Sequence, residues 1–302
     1  MQHYVKHNSN LLQLPENEDL NAVSNPIARA RSAICCEIAT PPMSRTTHLA
    51  VLSIAGSDSG GASGVQADLK TFAAFGVHGL SAITAVTAQN LGKVVSVHNL
   101  SAREVERQIL TLFDGFEIRA VKIGMLGSAA NVAAVAKAMA RVRARNIVLD
   151  PVLVSSSGTP LLSARGIAAV RDQLLPLAAL LTPNLPEASE LLGKRVRGMQ
   201  PSVAARALRS LGAHAVLVKG GHGRGPVVRD ALAEAGGVRE FRHPRLAIRA
   251  RGTGCVLSSA IACGLAQGKP MAAAVESAEE FLQCALRAAY RTGSSRQYVL
   301  RL

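Results

Sequence analysis

The stretch RGTGCVLSSA, Arg251 to Ala260, places a thiol where a glycine-containing turn runs into a small-residue segment suited to a buried helix. Backbone N–H groups at a helix start point outward and the helix dipole favours an anion there, while glycines let the main chain approach a phosphate closely. Gly252, Thr253 and Gly254 therefore read either as an anion-binding turn or as a tight cap on the helix. A thiol at a helix N-terminus has a lowered pKa, which would let Cys255 act as a base on a substrate hydroxyl. Asp150 lies in the apolar run VLDPV, where a carboxylate needs a partner or a metal. In TPNLPEA, Glu187 follows Asn184 by three residues. Two carboxylates at neighbouring strand ends suit Mg²⁺, although Glu187 taken alone also reads as a first-turn acid favoured by the helix dipole. Lys219 ends the apolar run AVLVK, just before Gly220 and Gly221, and such a lysine is expected to meet an anion. Lys122 and Met125 in VKIGML read equally as pocket lining or as packing, and His222 as a solvated loop residue.

These residues need strand ends to converge. LAVLSIAG (Leu49 to Gly56) has the length and branching of a buried strand, followed by the turn GSDSGGASG and the helical pattern GVQADLKTFAAFG. LSAITAVTAQN, RAVKIGML, NIVLDPVLV, ALLTPN and AVLVKGGHG read as five more strands. SAREVERQILTLFDGF is an amphipathic helix in which Ser101 and Glu104 predict a capping box. Gly236 and Gly237 predict a hairpin, and two helices follow from Thr253 and from Met271. Strand–helix alternation implies a mainly parallel sheet covered on both faces, and ligands of such sheets gather at the carboxyl ends of the strands. The polar and glycine-rich residues fall at those ends. Walker A and Rossmann glycine patterns are both absent.

The 302 residues are 48% hydrophobic and 18% charged, the signature of a globular chain. Net charge is +14, with eighteen Lys/Arg against six Asp/Glu from Lys194 onward. Without zinc-finger spacing, an RRM-type motif or a long basic block, arginines on solvated helix faces account for this better than nucleic-acid binding does. A phosphate-rich substrate would also gain from the field. Five cysteines with no CxxC argue against a disulfide framework or a structural zinc and for a reducing cytoplasm. Cys263 and Cys284, set in helices among alanines, are expected to be inert core. No apolar run is long enough for a membrane span. Residues 1–47 are expected to be a disordered tail, or an extension preceding a natural start at Met43, and residues 48–302 a single domain.

Seven ordered segments together resemble the hydroxymethylpyrimidine (phosphate) kinases of thiamine biosynthesis, in the ribokinase-like superfamily. They are the turn region Ile54 to Phe72, ITAVTAQN, VKIGMLGS, VLDPVLVSSSGTPLL, LLTPNLPEASELLG, VLVKGGH and GTGCVLSSAIA. The resemblance implies a three-layer α/β/α sandwich, a homodimer, and transfer of the ATP γ-phosphoryl group to 4-amino-5-hydroxymethyl-2-methylpyrimidine and then to its monophosphate. It implies that Gly56, Asp68, Gln89, Met125 and Val152 line the pyrimidine pocket. Lys219, Gly221 and Asn184 would serve the nucleotide, and Asp150 and Glu187 the Mg²⁺. Gly252, Thr253 and Gly254 would form the anion hole, and Cys255 would take or position the acceptor proton. No nucleic-acid or membrane partner is implied.

Three departures stand out. Arg251 replaces the family's usual histidine and would add a cation beside the phosphates. Ser63 occupies an alanine position, and the segment after Tyr290 lacks the usual closing motif. Pyridoxal kinase activity, or a catalytically impaired pyrimidine-binding homologue, are the competing readings.

Overall fold

Strand β1 (Ala50–Asp58) is buried along almost its whole length, because it runs through the centre of the sheet with parallel neighbours on both sides. Those neighbours are β2 (His78–Gln89) and β4 (Ile118–Ile123). The computed structural model describes residues 48–155, 158–193 and 199–302. The expected tail at residues 1–47, with the proposed start at Met43, lies outside the described residues.

β5 (Ile147–Leu149), β6 (Leu180–Leu181) and β7 (Val216–Val218) continue the parallel set. β3 (Val94–Asn99), β8 (Val227–Glu234) and β9 (Gly237–Pro244) are joined by antiparallel pairing at the margins, giving the order β3-β2-β1-β4-β5-β6-β7-β8-β9. Side chains alternate across a strand, and β1 divides accordingly. Leu52 and Ile54 join the core formed with helices α2 (Ala102–Gly115), α3 (Ala129–Val142), α4 (Ala164–Ala169), α5 (Leu185–Leu192) and α6 (Pro201–Arg209). Val51 faces the opposite core, shared with α1 (Gly64–Ala74), α7 (Thr253–Ala266) and α8 (Met271–Arg287). The result is the three-layer α/β/α sandwich with a mainly parallel sheet that the alternation implied.

Helix α7 explains its own composition. It is packed against α1 and α8, with ten consecutive residues from Val256 to Leu265 buried. A Cβ on Gly264 would lie 3.0 Å from the Ala274 Cβ of α8.

Several local expectations are corrected. The fourth strand is only Ile147–Leu149, so Asp150 lies just past it rather than within it. β3 was not foreseen. Ser101 accepts the Glu104 N–H, but Glu104 turns its carboxylate to Arg107 instead of closing a capping box. Cys263 is buried as expected, whereas Cys284 is exposed. The segment after Tyr290 supplies β11 (Tyr298–Val299), which pairs in parallel with β10 (Ala250–Arg251) immediately before the GTGC turn. Among the described residues no helix is long and apolar enough to cross a membrane.

Candidate active site

Gly252 caps α7 with φ +77°, a conformation that favours glycine, and a Cβ there would lie 2.0 Å from the Ala62 carbonyl oxygen. The GTGC turn is therefore seated directly on the glycine-rich turn that follows β1. That turn is wound around Asp58, whose carboxylate accepts the Gly60, Ala62 and Ser63 N–H groups and the Ser63 hydroxyl. Sequence reasoning missed Asp58, although an acid at the mouth of a Gly/Ser run is the pattern of a side chain capping its own turn. Gly64 is equally constrained: at φ +58° its Cβ would meet the Gly56 carbonyl.

On the other side of the GTGC turn, the Lys219 ammonium donates to Asp150 Oδ1 at 2.8 Å. A Cβ on Gly254 would lie 3.2 Å from Lys219 Nζ and 3.5 Å from Asp150 Oδ2. The anion turn and the lysine–aspartate pair thus form one surface. Burial alone would lift the Asp150 pKa, but Lys219 and Lys122 hold it below its ordinary value. Burial likewise opposes the charge on Lys219, and Asp150 and Glu187 outweigh it, so the pKa is raised and the cation is secured. Asn184 and Glu187 complete a reciprocal capping box at the start of α5. Burial pushes the Glu187 carboxyl up to about 7; Lys219 opposes this and the Asp150 charge adds to it.

Hard carboxylate oxygens of this kind fit Mg²⁺. One Glu187 oxygen accepts the Asn184 N–H, leaving the other for a hydrated cation. Asp150 Oδ2 has only a 3.5 Å contact from Ser258.

Beneath Cys255 lies a sealed polar knot. Asp68 and Lys122 have fully buried side chains and pair at 2.8 Å. Ser53 of β1 and Ser259 of α7 donate to the same carboxylate at 2.5 and 2.9 Å. Asp68 therefore does not line a pocket; it ties α1, β1, β4 and α7 together under the site. Gly124 makes room for this, since a Cβ there would be 2.7 Å from Lys122 Nζ. The lone serine in the otherwise apolar LAVLSIAG was the available signal.

Cys255 itself is half-buried. Its thiol is not activated by its helix terminus: burial pushes it up to about 11, Lys122 opposing and the Asp68 and Asp150 charges adding. The expected low pKa is thus corrected, because desolvation and the Asp68 and Asp150 charges outweigh the Lys122 cation and the Gly64 backbone hydrogen bond.

The remaining expected residues fall into two groups. Gly56 abuts Met125, with its Cβ position 3.1 Å from Sδ. Gln89 reaches toward Ser63 at 3.4 Å, and Val152 borders a crevice with Gly124 and Leu126. Gly221 is exposed on the β7–β8 loop, where its carbonyl accepts Arg245.

Arg251 is only 4% exposed, and its Nε and Nη1 have no hydrogen-bond partner among the described residues. Its pair partner Val299 packs with Ala62 and Leu91. Paired strand residues share a face, so the guanidinium lies on the side of the glycine-rich turn.

Residues 58–299 match the family described as phosphomethylpyrimidine kinase. The chain is 46% identical over 243 residues to the hydroxymethylpyrimidine/phosphomethylpyrimidine kinase of Rhizobium meliloti (strain 1021), spanning 80% of this chain and 91% of that one. A crystal structure of phosphomethylpyrimidine kinase from Clostridium difficile 630 is similar with a TM-score of 0.70 and 36% identity, over 79% of this chain and 99% of that one. The ADP complex of Bacillus subtilis pyridoxal kinase reaches a TM-score of 0.77 at 31% identity, over 84% and 97%.

Proposed function

Since the chain belongs to the phosphomethylpyrimidine kinase family, we propose that it transfers the ATP γ-phosphoryl group to 4-amino-5-hydroxymethyl-2-methylpyrimidine and to its monophosphate. The observation that carries this reading is the meeting of a helix N-terminus, an ion-paired lysine and a thiol at one turn, Gly252 to Cys255. Phosphoryl transfer rests mainly on positioning and on fixed charges that meet the developing negative charge. Here the first N–H groups of α7 and the Lys219 ammonium supply that charge. Gly56, Met125, Gln89 and Val152 hold the pyrimidine ring with its CH₂OH beside Cys255, which orients the hydroxyl as the oxygen attacks phosphorus, the hydroxyl proton going to the small thiolate fraction or to a phosphoryl oxygen. Asp150 and Glu187 would hold Mg²⁺, which when bound neutralises phosphate charge and orients the transferring group.

The test offers purified protein ATP with the pyrimidine alcohol, its monophosphate and pyridoxal in turn, following ADP release. Turnover of both pyrimidines at least roughly tenfold above pyridoxal is expected. Turnover of pyridoxal alone would replace the reading with the vitamin-kinase alternative, and tight pyrimidine binding without turnover would replace it with the impaired one.

Arg251 serves this reading as the cation for the acceptor's phosphate. A buried guanidinium without a partner is costly and calls for an anion. Arg251→Met is expected to raise KM for the monophosphate by about 10-fold or more while changing KM for the unphosphorylated alcohol much less, with Arg251→Lys in between. Equal changes for both acceptors would remove Arg251 from acceptor recognition.

A further inference from the structure

On the far side of the Lys219 loop, Asp230 of β8, His243 of β9 and Glu279 of α8 bring one ligand atom each to within 4.8 Å of one another. The sheet register explains how. Asp230 pairs with Phe241 and Val228 with His243, so Asp230 and His243 sit diagonally on the face that α8 covers. We propose that these three side chains form a binding site for a first-row divalent cation of the zinc class, separate from the phosphoryl-transfer site.

The hydrogen bonding within the cluster is incomplete. His243 Nδ1 lies 3.6 Å from Glu279 Oε2, too long for a good hydrogen bond. His243 Nδ1 and Glu279 Oε1 are both buried atoms without a hydrogen-bond partner among the described residues, and Glu279 is only 7% exposed. One turn further along α8, the buried Gln283 Oε1 also lacks a donor. Charge points the same way. One imidazolium can balance only one of two buried carboxylates; the Asp230 and Glu279 side chains lie within hydrogen-bonding reach of each other, so the second charge is met either by a proton shared between them or by a cation. Burial drives Glu279 up to about 7, with His243 opposing, and burial raises Asp230 as well.

The donor set selects the cation. One imidazole nitrogen with two carboxylate oxygens suits zinc and its neighbours, whereas Mg²⁺ prefers oxygen and water. Ligands around one such ion lie about 3–4 Å apart, so the side chains need to close only slightly. Asp230 already has an orienting partner of the kind found behind metal ligands, the Gly220 N–H at 2.6 Å. Gly220 follows Lys219, so an ion here would brace the β8–β9 hairpin, α8 and the loop that presents the Lys219 ammonium.

The test strips the full chain with a chelator and dialyses it against Zn²⁺ in the presence of excess Mg²⁺, with metal content read by mass spectrometry. One zinc per chain is expected, together with a raised thermal midpoint. Co²⁺ should give a d–d absorption spectrum of a nitrogen–oxygen site. His243→Ala and the near-isosteric Glu279→Gln should each weaken zinc retention at least about tenfold and remove the thermal gain. Circular dichroism establishes that each variant is folded, and the wild-type cobalt spectrum stands independently of them. No stoichiometric zinc in the wild type, or equal retention by folded His243→Ala, would overturn the proposal and leave the carboxylates sharing a proton. Neither result depends on which acceptor the kinase uses.

Discussion

Cys255→Ala is expected to lower kcat by roughly 10²-fold, the scale of a lost positioning contact at the reacting atom, while the pyrimidine still binds. Calorimetry alongside steady-state kinetics checks both halves; a variant that retained most of its turnover would remove Cys255 from the chemistry. The structure sharpens what Cys255 does. With its thiol pushed up to about 11, only about one molecule in ten thousand carries a thiolate at pH 7 in the unliganded protein. If that thiolate were the base, kcat/KM would rise about tenfold per pH unit up to the thiol pKa. If the neutral thiol positions the acceptor hydroxyl, the profile stays flat across neutral pH and Cys255→Ser keeps much of the rate. The carboxylates of Asp68 and Asp150 near the sulfur favour the second outcome, so the flat profile is expected.

Lys122→Met is expected to destabilise the fold by about 3–5 kcal/mol, because it strands the fully buried Asp68 carboxylate without its cation. For a domain of this size each kcal/mol moves the thermal midpoint by about 2–4 °C, so a fall of roughly 6–20 °C should appear in a melting scan. A change within about 2 °C would show that Ser53 and Ser259 satisfy Asp68 unaided. Removing both charges together, as Lys122→Met with Asp68→Leu, should cost less than either single change, since the penalty lies in an uncompensated buried charge. This double variant separates a stability effect from the loss of Lys122 as a charge near Cys255.

The sheet and its site-bearing ends were legible because their signals are local. Apolar runs of strand length alternate with helical periods, and the glycines sit where turns require them. Lys219 at the end of AVLVK needed an anion, and Asp150 is that anion. The features that escaped depend on distant partners. β3 has an almost wholly exposed sequence, VVSVHN, with no buried face to betray it. The pairing of Arg251 with Val299 joins two-residue strands that no periodicity can reveal. The pKa of the Cys255 thiol was misread because the dipole argument is local, whereas the desolvation comes from the assembled fold and the Asp68 and Asp150 charges add to it. Asp68 was expected in the pyrimidine pocket because the resemblance implied it; the assembled sheet shows that Lys122 and two serines consume it.

The Asp68 knot also orders events on the ribosome. Lys122 follows Asp68 by 54 residues, but Ser259 follows it by 191. At about 5–20 residues per second, roughly 10–40 s separate synthesis of the carboxylate from synthesis of the helix that roofs it. Until then the Asp68 carboxylate lacks the hydroxyl that Ser259 donates. The thiol arrives on the same helix as the roof, so the proposed catalytic centre cannot assemble before that helix has been made.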